Sequence, residues 1–166
     1  PEDWRQRLNA PGPVIIMPSS RRKPEGDLRR GWTTGACATA ATVAAFQALL
    51  TGDFPDPVII TLPRGEEPSF TLTRKELDAG EATASIIKDA GDDPDVTHGA
   101  VIHARVRQRP SDGGGICFLA GDGVGAVTKP GLPIPVGEAA INPVPRAMMT
   151  AELTSLARDA GMAADL

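Results

Sequence analysis

The chain has 166 residues, enough for one domain with a sizeable core and too few for two comfortable ones. Apolar residues make 41% and charged residues 23%, so wholesale disorder is disfavoured; 18 glycines, 16 prolines, four Phe, two Trp and no Tyr describe a turn-rich domain packed with aliphatic and alanine side chains. The composition excludes collagen, coiled coils and disulfide scaffolds, and a net charge of −4 argues against nucleic acid, whose phosphates demand surplus Lys and Arg.

Residues 1–27 read as a flexible N-terminal extension. Val14-Ile15-Ile16-Met17 is a short candidate strand, but prolines surround it and the rest is polar or basic. No long apolar leader is visible. Cys37 and Cys117 lack CxxC spacing, so two buried thiols in a reducing cytoplasm are expected.

Residues 28–166 form the organised domain. Thr34 to Leu50 predicts a helix, capped by Thr33 or Thr34 and ended by Gly52. Val43, Phe46 and Leu50 make its bulky stripe, and Ala36, Ala40, Ala44 and Ala48 a smooth ridge. No charged residue lies between Gly31 and Gly52, so this helix is expected to be buried on most sides; threonines and a glutamine speak against a membrane span. Val58 to Leu62 and Ser69 to Thr73 predict a hairpin around Pro63-Arg64-Gly65, and Ala82 to Lys88 another strand. From Ala100 to Gln108, Ile102, Ala104 and Val106 alternate with His103, Arg105 and Arg107, the period of a half-buried strand. Ser111 to Gly115 turns the chain into Ile116 to Ala120, expected as its antiparallel partner. After a glycine- and proline-rich stretch, Asn142 and Pro143 open a last helix bearing Met149, Leu153, Leu156 and Ala160 on one face and stopped by Gly161. The expected class is α+β, a mixed or mainly antiparallel sheet packed with two main helices.

Four segments bear chemistry. In Arg29-Arg30-Gly31-Trp32-Thr33-Thr34-Gly35-Ala36-Cys37, two arginines and two hydroxyls flank a helix N-terminus, a combination suited to a carboxylate or phosphate; an ordinary capped helix explains the same residues. Lys88 to Gly99, KDAGDDPDVTHG, crowds four aspartates, whose mutual repulsion can raise one carboxylate's pKa and make it a proton acceptor, with His98 the other acid–base group close by; an exposed acidic turn is the plainer alternative. Gly121, Gly123 and Gly125 permit close backbone approach to a ligand, with Lys129 nearby. Ala139 to Arg146 caps the last helix. Arg146 there opposes the helix dipole, which makes a carboxylate contact worth considering.

Taken in order, these segments resemble the cobalt-precorrin-5B C1-methyltransferase family (CbiD) of anaerobic cobalamin biosynthesis. The resemblance rests on Arg30 to Ala38, Lys88 to Gly99, Gly123-Val124-Gly125 with Val127 to Gly131, and Pro135-Val136-Gly137 with Ala140 to Arg146. It implies methyl transfer from S-adenosylmethionine, as co-substrate, to ring carbon C1 of a cobalt tetrapyrrole, giving the precorrin-6A level. Cobalt would arrive only inside the substrate, with no metal site on the protein. Arg29, Arg30, Thr33, Thr34, Lys88, Lys129, Asn142 and Arg146 become candidates to face the substrate's carboxylates, Asp89, Asp92 and His98 candidates for catalysis, and Gly121, Gly123 and Gly125 candidates for the donor. The three glycine- and proline-rich loops would then line one cleft. The resemblance also implies a longer enzyme, of which 28–166 is the N-terminal, substrate-side domain. Its partners would be the tetrapyrrole, no nucleic acid and no membrane, with a homodimer as the candidate assembly. Two other readings stay open: a non-catalytic tetrapyrrole- or anion-binding domain, and an acidic metal-binding module built on Asp89 to Asp95.

Overall fold

The computed structural model describes residues 28–109, 115–162 and 166. The expected extension, with its Val14–Met17 strand, and most of the turn at 111–115 lie outside the described residues.

One long helix organises everything else. Helix α1, Thr34–Thr51, begins where the extended Thr33 accepts a hydrogen bond from Ala36 N at 3.1 Å, so Thr33 is the cap. It ends at Gly52, whose φ of +85° suits glycine and whose N–H donates to Ala48 O at 2.8 Å. Most of its residues are buried, including the whole alanine ridge. The buried Thr39 and Thr42 hydroxyls donate to the Gly35 and Ala38 carbonyls one turn back, so neither is left unsatisfied. By length and composition alone α1 would be apolar enough to cross a membrane. Here the sheet covers one side of it and the second helix another.

That sheet has three antiparallel strands in the order β3 (Arg74–Asp78), β4 (Glu81–Ile87) and β5 (Val101–Arg107). Ala82, Ala84 and Ile86 of β4 lie in the core with Val106 of β5, while Ile102 and Ala104 pack partly against it. His103, Arg105 and Arg107 point the other way and are exposed, as their alternation predicts. A separate hairpin pairs β1 (Val58–Ile59) with β2 (Ser69–Phe70), shorter than expected but in antiparallel register. Helix α2, Pro143–Asp159, lies against α1 through Met149, Leu153 and Ala157, and the Thr42 hydroxyl meets Met149 Sδ at 3.3 Å. Ala157, not the expected Ala160, completes the inward face; Ala160 is exposed beyond the helix end.

The α+β class stands, with every paired strand among the described residues antiparallel. Two expectations change. Strand β3, sequence RKELD, carries no apolar alternation because all five residues are exposed, and only the tight Ala79-Gly80 turn betrays it. Ile116 to Ala120 is not the antiparallel partner of β5. Its backbone turns to the far end of the chain, where Cys117 N donates to Leu166 O at 2.9 Å.

Candidate functional site

Lys88 to Ala100 is the connection between β4 and β5, and the ladder closes its neck. Lys88 N donates to Ala100 O at 2.9 Å and Gly99 N to Lys88 O at 2.8 Å. The acidic segment is therefore a loop held at one sheet end, where it meets the residues leading into α1. Trp32 N donates to Asp89 O at 2.8 Å and Asp92 N to Arg29 O at 3.0 Å, while Arg29 N donates to Asp92 Oδ2 at 2.7 Å. Arg30 and Gly91 form an antiparallel bridge. Two glycines make this approach possible. A β-carbon on Gly31 would sit 1.8 Å from the Ala90 carbonyl carbon, and one on Gly91, at φ +63°, 2.1 Å from Arg29 O. Only backbone without side chains fits there.

The charges pair within this junction. The Arg29 guanidinium grips both Asp89 carboxylate oxygens, with Nη2 at 2.9 Å from Oδ1. That pairing, helped by Gly91 N donating at 2.8 Å, holds the Asp89 carboxyl down at about 2. Lys88 has a fully buried side chain, and its Nζ lies 2.6 Å from Asp95 Oδ2. The ammonium, with the Thr97 hydroxyl and N–H on Oδ1, holds Asp95 well below the usual carboxylate range. The expectation that crowding raises one aspartate toward neutrality therefore fails for Asp89, because its partner is a cation rather than another acid. His98 Nδ1 accepts from Ala90 N at 3.1 Å, so in the neutral ring the proton sits on Nε2. At the helix entrance the Thr34 and Thr97 hydroxyls lie 3.3 Å apart. Cys37, one turn further in, is buried, and that burial pushes its thiol up to about 11; Cys117, expected to be buried too, is exposed, because it falls on the outward side of its segment.

Beside the junction lies an open cavity of about 300 Å³ lined by Trp32, Ser69, Phe70, Thr71, Thr73, Ile86, Ile87 and Asp89. Trp32 and Phe70 meet edge to face at 6.0 Å, and the Arg30 guanidinium covers the Trp32 ring while pairing with Glu66 at 2.7 Å. An aromatic floor with charged groups at its rim is what sequence reading missed. Trp32 lies inside the Arg29–Cys37 segment, but nothing local ties it to Phe70.

The third glycine-rich segment forms a separate layer on the start of α2. Gly121 O accepts from Val124 N, Gly123 takes φ +79°, and Gly125 O accepts from Ala140 N at 2.7 Å. A β-carbon on any of the three would meet open space, so no surface crowds that turn. A second cavity, about 410 Å³, adjoins it between Ala126 to Leu132 and Ala140, with the exposed Lys129 on its wall. Arg146 secures this layer from beneath, donating to Glu138 at 2.6 Å and to the Ala139 and Ile141 carbonyls, with Phe118 against its guanidinium. Asn142 precedes the helix without a side-chain cap bond.

Of the candidate residues, the fold thus brings Arg29, Arg30, Thr33, Thr34, Lys88, Asp89, Asp92 and His98 into one junction. Gly121, Gly123, Gly125, Lys129, Asn142 and Arg146 belong to the second layer. The layers touch where Pro145 meets Gly35, a β-carbon on Gly35 falling 2.7 Å from Pro145 Cγ; no hydrogen bond or ion pair among the described residues joins Lys129 to the junction. Lys88 and Arg146 are turned inward onto their partners, whereas Arg29 and Arg30, although paired with Asp89 and Glu66, keep more than half of their side chains exposed, and Lys129 is exposed as well.

The result is an α+β domain whose exposed arginines and helix entrance face outward beside an aromatic cavity, the makings of a binding site for an anionic, partly apolar ligand. The family model for CbiD matches residues 21–165, and the chain belongs to that family. It is 58% identical over 149 residues to the cobalt-precorrin-5B C(1)-methyltransferase of Brucella anthropi, covering 90% of this chain and 40% of that protein. It is 66% identical over 128 residues to the enzyme of the same name from Rhodospirillum rubrum, covering 77% and 36%. A crystal structure of the cobalamin biosynthesis protein CbiD from Archaeoglobus fulgidus superposes with a TM-score of 0.60 at 28% identity, over 82% of this chain and 41% of that one. The chain thus spans about two-fifths of the length of the relatives it matches.

Proposed function

We propose that this chain is the substrate-side part of a cobalt-precorrin-5B C1-methyltransferase, carrying the surface that receives a carboxylated cobalt tetrapyrrole. Family membership supports the reaction class, and the junction of Arg29–Thr34 with Lys88–Gly99 is the single observation that supports the role of this part. A flat macrocycle rimmed with carboxylates needs apolar surface for its face and cations for its edge. Trp32 and Phe70 offer the first, Arg29 and Arg30 the second. Lys129 offers a further cation from the second layer.

S-adenosylmethionine supplies the methyl group as an activated sulfonium, so the protein has chiefly to orient the acceptor carbon and exclude water. The donor is assigned to the 410 Å³ cavity beside the Gly121–Gly125 turn, on the layer that touches the junction's side of the domain through Pro145 and Gly35. Within the junction, Asp89 is a fixed anion placed to stabilise positive charge arriving on the ring. His98 presents an Nε2–H donor, because its Nδ1 accepts from Ala90 N. Asp92 orders the Arg29 backbone that carries the rim cation.

These roles are checked in a full-length CbiD protein containing this region. His98→Ala and Asp89→Asn are each expected to lower turnover by roughly 10²-fold, with corrinoid affinity affected less in the first. Turnover at the parent rate in Asp89→Asn, Asp92→Asn and His98→Ala alike removes the catalytic part of the proposal and leaves a binding domain. The metal-binding alternative has less to support it. Asp89 and Asp95 already have Arg29 and Lys88 as their counter-charges, and no group of three or more metal-ligating side chains occurs among the described residues.

A further inference from the structure

After the left-handed Gly115, at φ +66°, Ile116 to Ala120 shows the burial alternation of a strand. Ile116 and Phe118 are half-buried, Ile116 against the core and Phe118 beneath Arg146, while Cys117 is exposed and Leu119 is 75% exposed. That is the period of two of an extended chain with one face covered. Yet no backbone hydrogen bond among the described residues engages Phe118, Leu119 or Ala120. An extended apolar segment with open N–H and C=O groups is a template for another strand.

The first rung of such a pairing is already made. Leu166 N donates to Gly115 O at 3.3 Å, and Cys117 N donates to Leu166 O at 2.9 Å. One residue bonding the two neighbours of Ile116, rather than Ile116 itself, is the signature of a parallel pair; an antiparallel pair would exchange both bonds with a single opposite residue. Leu166 is buried, as an inward-facing strand residue should be. Between the two lies α2, so Gly115–Ala120, α2 and Leu166 have the order of a strand–helix–strand crossover.

We propose that Gly115–Ala120 is a docking edge for a parallel β-strand, and that its occupant is the polypeptide following this region in the longer CbiD proteins. Those relatives extend well beyond the matched two-fifths, so material of the right connectivity exists. The register follows from the Leu166 rung. The second residue after Leu166 donates to Cys117 O and accepts from Leu119 N–H, and the same strand covers the exposed Leu119 side chain. This pairing would tie the substrate-side part directly to the remainder of the enzyme.

The test is amide hydrogen exchange, resolved by residue, on the 166-residue chain and on a full-length CbiD protein containing it. In the full-length protein the Cys117 and Leu119 amides are expected to exchange slowly and the Phe118 amide, pointing away from the new strand, quickly. In the 166-residue chain the Leu119 amide should exchange at least about tenfold faster than in the full-length protein. A Leu119 amide equally fast in both proteins overturns the proposal. So does uniform protection of Cys117, Phe118 and Leu119, which would show burial without strand pairing.

Discussion

Lys88 Nζ has no access to water and a single carboxylate oxygen as its anchor, on Asp95. Breaking such a pair from one side leaves an uncompensated buried charge, whereas replacing the cation with an apolar group of similar length does not. Asp95→Ala should therefore lower Tm by roughly 6 °C or more, while Lys88→Met should change it much less, as read by thermal unfolding at pH 7. The pH dependence has a fixed sign. The Asp89 and Asp95 pKa values are lower folded than unfolded, so their stabilisation is full above about pH 4 and is lost as the pH falls through the folded values, about 2 for Asp89. Asp95→Asn should flatten the acid side of a Tm-against-pH curve; an unchanged slope there would show that the pair contributes nothing. The sequence exposed this acidic cluster plainly, as four aspartates in seven residues, but not its electrostatics. Arg29 and Asp89 are 60 positions apart, and no local rule pairs them.

At the scale of elements, the site exists because a loop between β4 and β5 and the lead-in to α1 approach backbone to backbone. Gly31→Ala would drive a β-carbon into the Ala90 peptide and pry the two segments apart, at an expected cost of about 2 kcal/mol or more, a Tm fall of roughly 4–8 °C. Gly121→Ala meets open space at a backbone angle any residue accepts and should stay within about 0.5 kcal/mol. Equal effects in thermal melts would contradict the close-approach account. Helix α1 and the alternation of β5 were legible because their period survives burial on one side or all round. Strand β3 was not, since an all-exposed strand has no period to read, and Ile116–Ala120 has a different neighbour from the expected β5 because pairing direction leaves no local mark.

Over the whole molecule, the two candidate loops nearest α1 form one surface and the third forms a second layer linked through Pro145 and Gly35. The expected single cleft is thus two separate concavities that share no lining residue, one aromatic and bordered by Trp32 and Asp89, one beside Lys129. Two of the sequence's candidate cations, Lys88 and Arg146, are turned inward, each onto partners within its own layer. Residue type and motif membership marked them as chemically active, and only burial and partner geometry distinguish a cation that faces a ligand from one that faces its own protein. The central claim is that this chain carries the carboxylate-recognising surface for the tetrapyrrole. Calorimetric titration of the 166-residue chain with a cobalt corrinoid bearing free carboxylates, beside its fully amidated counterpart, tests it most directly. The account predicts binding of the carboxylated form, weakened by about tenfold in Arg30→Gln and by more in the amidated ligand. Equal affinity for both corrinoids, or none for either, would contradict it.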